Sequence, residues 1–387
     1  MSDTPTERDV PSGSASARVR RVLFATVLRF AAVGRSIAAL AIAVAIISIV
    51  LLALGASPIA VFADLWQGAF GNWLAATDTL VKSTPLVFTG LAIAVAFQGA
   101  LWNIGADGQL VMGALAAGAI GPALGGWAHP IAIFAMLAVG AAGGAVWGGF
   151  AGWLRARREV NEVISTIMLN FVAAQVLSWA VHGPLMEPSG DYPKSVVIAD
   201  SAKLAFYLAP SRLNLGMVLA LILAVGCHLA LFHGEAGLEL RALGRSRRAS
   251  AFFGIPIRRL TVGAMALSGA LAGVGGAVQV SAITHRLYET MSPGWGYEAI
   301  AVALVARLNP LAIVPAAILF GALDNGSQAM QRADAVSPVL VNVIQGLVII
   351  ILIAFDAATA RGMRTAFFGA LDAAPRSDGP PAEVGDA

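Results

Sequence analysis

The sequence predicts an all-α membrane protein with about ten transmembrane helices, and three observations support this fold class. First, 58% of the residues are hydrophobic and 12% are charged, whereas soluble chains are closer to a quarter charged. Second, long apolar runs recur along the chain. Third, many of the 42 glycines fall inside these runs, as is typical of helices that pack closely in lipid. A soluble globular protein is therefore excluded.

The two ends of the chain differ from its centre in composition. Residues 1–36 are polar, contain six arginines and show no apolar periodicity, while 361–387 are rich in Pro, Asp and Gly. Both segments are predicted to be disordered cytosolic tails, with a transmembrane domain at 37–360. The first apolar run follows too long a polar segment for a signal peptide, so we expect an uncleaved first span.

The apolar runs suit spans of about 20 residues each. They lie at 37–57, 82–101, 107–126, 130–154, 161–183, 213–233, 260–283, 295–308, 310–327 and 338–357. The run at 295–308 is shorter than a full span, which predicts a broken or tilted helix. Polar interruptions at 103–108 and at Asn309-Pro310 are predicted to be tight turns or helix breaks, tolerated in a membrane only inside protein or beside a cavity.

The distribution of basic residues predicts the orientation. With ten spans and both termini inside, most of the 25 lysines and arginines fall in cytoplasmic segments, as the positive-inside rule requires. This topology places 235–259, which holds six arginines, in the cytoplasm. It places 184–212 outside, where its prolines and mixed charges suggest a loop packed over the outer mouth.

A weak internal repeat is visible. The run 161–181 has a counterpart in 338–355, and the polar break at 103–109 resembles the one at 292–298. The partners are five spans apart, an odd number, so the two halves would be inverted relative to each other. Inverted repeats place a transport path at the interface between the halves.

The sequence contains none of the common nucleotide-binding, metal-binding or redox motifs. Gly-Lys-Ser/Thr cannot occur, because Lys82, Lys194 and Lys203 follow Val, Pro and Ala, so there is no Walker A loop for ATP. H-E-x-x-H and C-x-x-C are also absent, and the single cysteine, Cys227, cannot form an internal disulfide. The sequence therefore predicts a transport protein rather than an enzyme. It predicts no bound metal or cofactor, with energy supplied by ions or by a partner.

Five carboxylates lie in or near the predicted spans, namely Asp107, Glu162, Glu298, Asp324 and Asp356. All five fall near predicted helix ends, which favours roles as caps or helix-dipole partners over a central ion relay. The alternative is a stand-alone ion-coupled carrier, with Asp107 or Glu298 as the ion site.

Uncharged amide side chains in the spans can have either of two roles. They can hydrogen-bond a neighbouring helix, or they can line an aqueous path for a neutral polar solute such as a sugar or nucleoside. The candidates for the path are Asn103, Asn170, Gln175, Asn342 and Gln345.

The basic loop 235–259 also contains apolar residues, including the adjacent Phe252 and Phe253. The sequence Gly254-Ile255-Pro256 is a helix stop. Basic residues alone would serve as an orientation signal, but a solvated loop does not need two phenylalanines. We therefore expect a short helix that docks a cytosolic partner.

Several segments together resemble the permease subunits of bacterial ATP-binding-cassette importers of the ribose, branched-chain amino acid and nucleoside branch. They are Thr84 to Leu91, Phe97 to Gly113, Asn161 to Asn170, Arg241 to Gly244, Ala251 to Pro256 and Tyr297 to Gly321. The likeness covers about 35–365 and is strongest to nucleoside or simple-sugar permeases that work with basic-membrane-protein-type lipoproteins. A branched-chain amino acid permease is the alternative within the branch.

The resemblance implies a type II-like importer permease in the bacterial cytoplasmic membrane. Implied partners are a second homologous permease, a cytosolic ATPase and an extracytoplasmic solute-binding lipoprotein, with ATP and Mg²⁺ held by the ATPase and no nucleic acid involved. The implied ATPase-coupling residues are Arg241, Leu243, Gly244, Phe252, Phe253, Gly254 and Ile255.

Overall fold

A computed structural model describes residues 57–190, 192–204 and 210–334, together with scattered residues between 41 and 53 and Gly346. The chain divides into two units, 57–345 and a second formed by 1–56 and 346–387; the first contains nearly all the described residues. Within it the secondary structure is helical, as predicted. The helices are α1 Pro58–Phe70, α2 Trp73–Gln98, α3 Ala106–Ile120, α4 His129–Arg158, α5 Glu162–His182, α6 Leu215–His233, α7 Glu235–Arg245, α8 Arg247–Phe252, α9 Ile257–Gln279, α10 Trp295–Val305 and α11 Pro310–Asp334.

Six helices in the described ranges are long and apolar enough to cross a membrane, so the predicted total of ten is not reached there. They are α2, α4, α5, α6, α9 with its π-helical extension to Thr284, and α11. Two other predicted spans, 107–126 and 295–308, form the shorter helices α3 and α10, of 15 and 11 residues. The predicted spans 37–57 and 338–357, and both predicted tails, lie wholly or largely outside the described residues.

Two helix boundaries differ clearly from the prediction. Helix α1 is not among the predicted spans. Helix α2 begins at Trp73, nine residues before the predicted start at 82, because Asn72 caps it by accepting a hydrogen bond from the Ala75 amide at 2.8 Å. Helix α11 continues to Asp334, so Asp324 lies in its interior. The expectation that Asp324 sits near a helix end is wrong. It instead forms a salt bridge with Lys82 on α2, at 3.1 Å.

Glycines join α4 to α9 along most of their length. Gly144 and Gly269 lie so close that a methyl group on either would overlap the other's carbonyl oxygen. Gly140 and Gly148 on α4 meet Gly273 and Met265 of α9 in the same way. The predicted dense packing through small residues is confirmed, and it brings the two backbones into direct contact.

The pattern of helix contacts has an approximate two-fold character. Helices α3 and α4 pack on α9, whereas α10 and α11 pack on α2, and α2 and α9 pack on each other. The N-terminal ends of α3 and α10 meet tip to tip, since a side chain at Gly296 would overlap the Asp107 backbone. This arrangement supports the inverted repeat, and it joins the two polar breaks that the sequence showed as similar.

The two ends of the bundle differ in charge. One end, which we call the basic end, is formed by the last turn of α4, by α7 and α8, and by the start of α9. The last turn of α4 holds Arg155, Arg157 and Arg158. The opposite end, called the far end, is covered by 184–204. Backbone hydrogen bonds tie this loop to the segment after α9 and to the residue after α3: the Ser195 amide donates to the Leu287 carbonyl at 3.0 Å, and the Ala199 amide donates to the Gly121 carbonyl at 3.1 Å. The loop thus packs over one end of the bundle.

Candidate functional site

The predicted docking segment folds as two short helices at the basic end. Gly234 separates α6 from α7, and Ser246 separates α7 from α8 and caps α8 by accepting a hydrogen bond from the Ala249 amide at 3.2 Å. Gly254 then adopts φ +75°, a conformation that favours glycine, and Pro256 precedes α9. The helix breaks at Gly234, Ser246 and Gly254 therefore divide this segment into two short helices.

One face of α7 is fixed to the bundle. Leu240 and Leu243 are buried, and Leu240 reaches Gly99 at the end of α2. Gly244 lies against the carbonyl oxygen of Gln98, where no larger residue would fit. Among the predicted coupling residues, Gly244 therefore contacts the end of α2, and Leu243 is buried on the same short helix.

The opposite surface of the segment is exposed and both basic and apolar. Phe252 is 87% exposed and Phe253 is 78% exposed, with their rings edge to face at 5.7 Å. Exposed arginines lie on both sides of this pair in the sequence, namely Arg245, Arg247, Arg248, Arg258 and Arg259. Arg241 is instead partly buried, with its guanidinium 5.2 Å from the centre of the Phe232 ring on α6. Ile255 is partly buried, and its amide donates to the Ser250 carbonyl at 3.0 Å.

An apolar cavity of about 380 Å³ lies between this segment and the spans. It is bounded by α6, α7 and α9 and lined by residues such as Cys227, Leu240 and Leu267. The attachment of α7 through Leu240 and Gly244 is therefore narrow, with open apolar space beside it.

A second group of predicted residues lies in the interior, where side-chain amides hydrogen-bond the helix break after α2. Asn103 is fully buried; its Nδ2 donates to Gln109 Oε1 at 2.9 Å and to Ser268 Oγ at 2.8 Å, and its Oδ1 accepts from the Gly105 amide at 3.0 Å. The break therefore keeps its backbone and side chains hydrogen-bonded inside the bundle, as irregular structure in a membrane requires.

Asn170 binds both halves of the repeat. Its Oδ1 accepts from the Gly108 amide at 2.8 Å, and its Nδ2 donates to the Ile104 carbonyl and to the Tyr297 hydroxyl, both at 2.9 Å. In this conformation Asn103 and Asn170 use their amides within the fold and do not line an open path. Their contact with solute stays a prediction.

Asp107 completes this interior group. Its Oδ1 accepts from the Ser292 hydroxyl at 2.6 Å and from the Gly296 amide at 3.0 Å, so it satisfies a free N–H at the start of α10. The expected capping role is thus observed, although the cap is on a different helix. The sequence shows the two breaks as similar, but it does not show that they bond each other, through Asp107 with Ser292 and Gly296.

Gln175 lies on a different surface. It is exposed on α5 beside Phe171, Val172 and Trp179, which with Val176 line a shallow groove of about 350 Å³. The other predicted path residues, Asn342 and Gln345, lie outside the described residues.

At the far end of α5, Ser178 contacts Glu289, a residue for which the sequence predicts no role. Ser178 donates to Glu289 Oε1 at 3.0 Å, and His182 Nδ1 lies 2.9 Å from the Ser178 carbonyl. Glu289 follows α9 and its π-helical turn, so only the tertiary structure brings it to α5. In the part of the chain that the structure describes, no group of His, Cys, Asp or Glu could hold a metal ion.

Comparison with known proteins gives a family and several relatives for this chain. Residues 75–353 match the family described as branched-chain amino acid transport system / permease component. The guanosine ABC transporter permease protein NupP of Bacillus subtilis is 33% identical over 78% of this chain and 88% of its own length. The nucleoside ABC transporter permease protein NupB of Lactococcus lactis is 30% identical over 78% and 85%. The glucose ABC transporter permease protein TsgB13 of Haloferax volcanii is 29% identical over 85% and 89%. No solved structure matches.

Proposed function

Because the chain belongs to the permease-component family of the branched-chain amino acid transport systems, we propose that it moves nucleosides across the bacterial cytoplasmic membrane as one subunit of an ATP-driven importer. As a permease, it is a transport component rather than an enzyme. A partner ATPase holds ATP and Mg²⁺ and supplies the energy.

The observation that carries the proposal is the division of the α7–α8 segment into two faces. One face is attached to α2 through Leu240 and Gly244, and the other exposes Phe252 and Phe253 among arginines. Burying an exposed phenylalanine ring in a partner contributes about 1.5–3 kcal/mol, enough for two rings to anchor a docking contact. A movement of the ATPase would then pass through α7 to the spans.

The nucleoside assignment is supported by the names of two relatives at 30% identity or above, one a guanosine and one a nucleoside permease. Simple sugars come second, because a glucose permease is 29% identical over a larger share of the chain. Branched-chain amino acids are the third possibility, from the family description alone.

The remaining parts of the proposal concern partners and orientation. The importer would contain a second homologous permease, a cytosolic ATPase and an extracytoplasmic solute-binding lipoprotein. The basic end would face the cytoplasm, in line with the positive-inside rule, and the chain termini would lie on the same side. The far end with the loop 184–204 would then receive the binding protein.

The test is uptake by proteoliposomes that contain both permeases, the ATPase and the loaded binding protein. We expect ATP-dependent uptake of guanosine. The double variant Phe252→Ala/Phe253→Ala should weaken ATPase binding at least about tenfold and abolish uptake, because both rings would lose their burial in the partner. Phe134→Ala is the control, since Phe134 on α4 is 73% exposed at a different surface.

Two results would contradict the proposal. ATPase binding and uptake that survive in the double variant would remove the docking role from the phenylalanine pair. Guanosine uptake that persists without the ATPase and collapses with a protonophore would show an ion-coupled carrier instead.

A further inference from the structure

The exposed face of α5 changes character along its length. Toward the basic end it carries large apolar residues, including Ile164 at 60%, Met168 at 52% and Phe171 at 61% exposure. Toward the far end the same face carries Gln175, Ser178, Trp179 and His182. Their spacing of three or four residues places them on one side of the helix. Tryptophan and polar residues are common at the ends of spans, but here a carboxylate from a different segment, Glu289, bonds to the same end.

Glu289 gives this polar end a negative charge. Its carboxylate accepts the Ser178 hydroxyl at 3.0 Å and is otherwise exposed, so it keeps capacity to accept further hydrogen bonds. Trp179 is adjacent to Ser178 in sequence and 67% exposed. The groove beside Gln175 and Trp179 has a volume of about 350 Å³, and the rest of its lining is Phe171, Val172 and Val176.

The chemistry of this set suits one kind of solute. An exposed indole offers a flat surface on which a nucleobase stacks, and stacking of this kind does not depend on which base is present. A carboxylate accepts hydrogen bonds from vicinal hydroxyls, and an amide can pair with either donors or acceptors. A neutral molecule with an aromatic base at one end and a ribose at the other matches all three groups.

We propose that Trp179, Gln175 and Glu289 form a nucleoside-binding station at the far end of α5, where solute is held on leaving the binding protein. The base stacks on Trp179 and the ribose hydroxyls donate to Glu289, with Ser178 orienting the carboxylate. The proposal rests on the function proposed above and adds the residues and the hydroxyl preference to it. From Gln175 toward the basic end the exposed face carries Phe171, Met168 and Ile164, so the polar groups of the station are confined to its far end.

The test compares guanosine with 2′-deoxyguanosine in the complete reconstituted importer. The binding protein is the same in every sample, so a change in the ribo-to-deoxy uptake ratio comes from the permease. Glu289→Gln should lower this ratio by about threefold to tenfold, because the charged acceptor of the 2′-hydroxyl is lost.

Trp179→Ala should lower the number of guanosine molecules moved per ATP by about tenfold, from lost stacking, and Trp179→Phe should restore most of it. Trp66→Ala is the matched control, because Trp66 on α1 has nearly the same exposure, 66%. It should leave both readouts unchanged.

The outcomes separate the station from the function on which it depends. If the unaltered importer moves neither compound with ATP, both proposals fail. If it moves them but Glu289→Gln keeps the ratio and Trp179→Ala behaves like Trp66→Ala, only the station is overturned. A role of these residues in folding alone would change total uptake without changing the ribo-to-deoxy ratio, and would also overturn it.

Discussion

Helices α4 and α5 follow each other after a short turn, yet they use their surfaces in opposite ways. On α4 the buried stripe is made of small residues, and Gly144 brings its backbone against that of α9. On α5 the buried stripe is polar, with Thr166 and Asn170 among its members, and it bonds to the break before α3. The exposed face of α5 then carries large apolar and polar side chains.

The difference shows how a membrane bundle combines stability with movement. Backbone contact through glycine leaves no room for another side chain, so the α4–α9 seam is fixed by shape. Hydrogen bonds from Asn170 fix α5 at a few points and leave its other face for a partner or a solute. We therefore expect substitutions on α4 to act on folding and those on the exposed face of α5 to act on transport.

The largest expected effect is at the seam. Gly144→Ala should destabilise the protein by about 3 kcal/mol or more, because the added methyl overlaps backbone atoms of α9 that cannot rotate away. Thermal unfolding in detergent measures the change. Gly149→Ala on the same helix is the control, since its methyl would lie 3.4 Å from Ala266, an ordinary contact. Equal stability of the two variants would show that the seam can relax.

A smaller effect is expected on the buried side of α5. Asn170→Ala should cost about 1–3 kcal/mol, because the Gly108 amide and the Ile104 carbonyl lose their partner inside the bundle. Val172→Ala, on the exposed face, should stay within about 0.5 kcal/mol. The same unfolding experiment checks both, and a stable Asn170→Ala protein would mean that the break closes without the amide.

The smallest effect concerns the loop at the far end and depends on pH. The pKa of Glu187 lies below its ordinary value of 4.5, chiefly because Lys194 hydrogen-bonds the carboxylate, with a further contribution from the charge of Arg286. Since the folded pKa is lowered, this contribution to stability is present above about pH 4.5 and is lost as pH falls through the folded value.

Hydrogen exchange of 184–204 should therefore quicken as pH falls below 4.5, relative to the seam between α4 and α9, once rates are corrected for the intrinsic effect of pH. Glu187→Gln should show the faster exchange at neutral pH as well, and should lose the acid dependence. A loop whose protection is the same in the variant and the unaltered protein would show that the backbone bonds alone hold it.

Much of the fold could be predicted because the membrane imposes it. Spans 130–154, 161–183, 213–233 and 260–283 were located to within a few residues, since each is bounded by polar or basic residues. The break at Asn309-Pro310 was also right: Asn309 Oδ1 accepts the Leu311 amide at 3.1 Å and Pro310 begins α11. Prediction failed at α1, which is apolar but at 13 residues too short for a span, and at the early start of α2, where Thr77, Asp78 and Thr79 precede the apolar run.

The candidate site could be predicted only in part. Two short helices lie where the basic loop with its phenylalanine pair predicted one, and their docking role stays a prediction. The separate environments of the segment's residues could not be predicted, because the contact of Gly244 with Gln98 depends on where the end of α2 lies. Glu289 was overlooked for the same reason, since nothing local in the chain connects it with Ser178.

The sequence by itself determined that this chain is a helical membrane protein without ATP-binding or metal-binding motifs, because hydrophobicity and motif spacing are local properties. Only the tertiary structure decided which polar residues serve the fold and which remain available. Asn170 and Gln175 are five residues apart on one helix and equally polar in the sequence. The packing of α3 against one side of α5 buries the first and leaves the second exposed, and no local property of the chain contains that distinction.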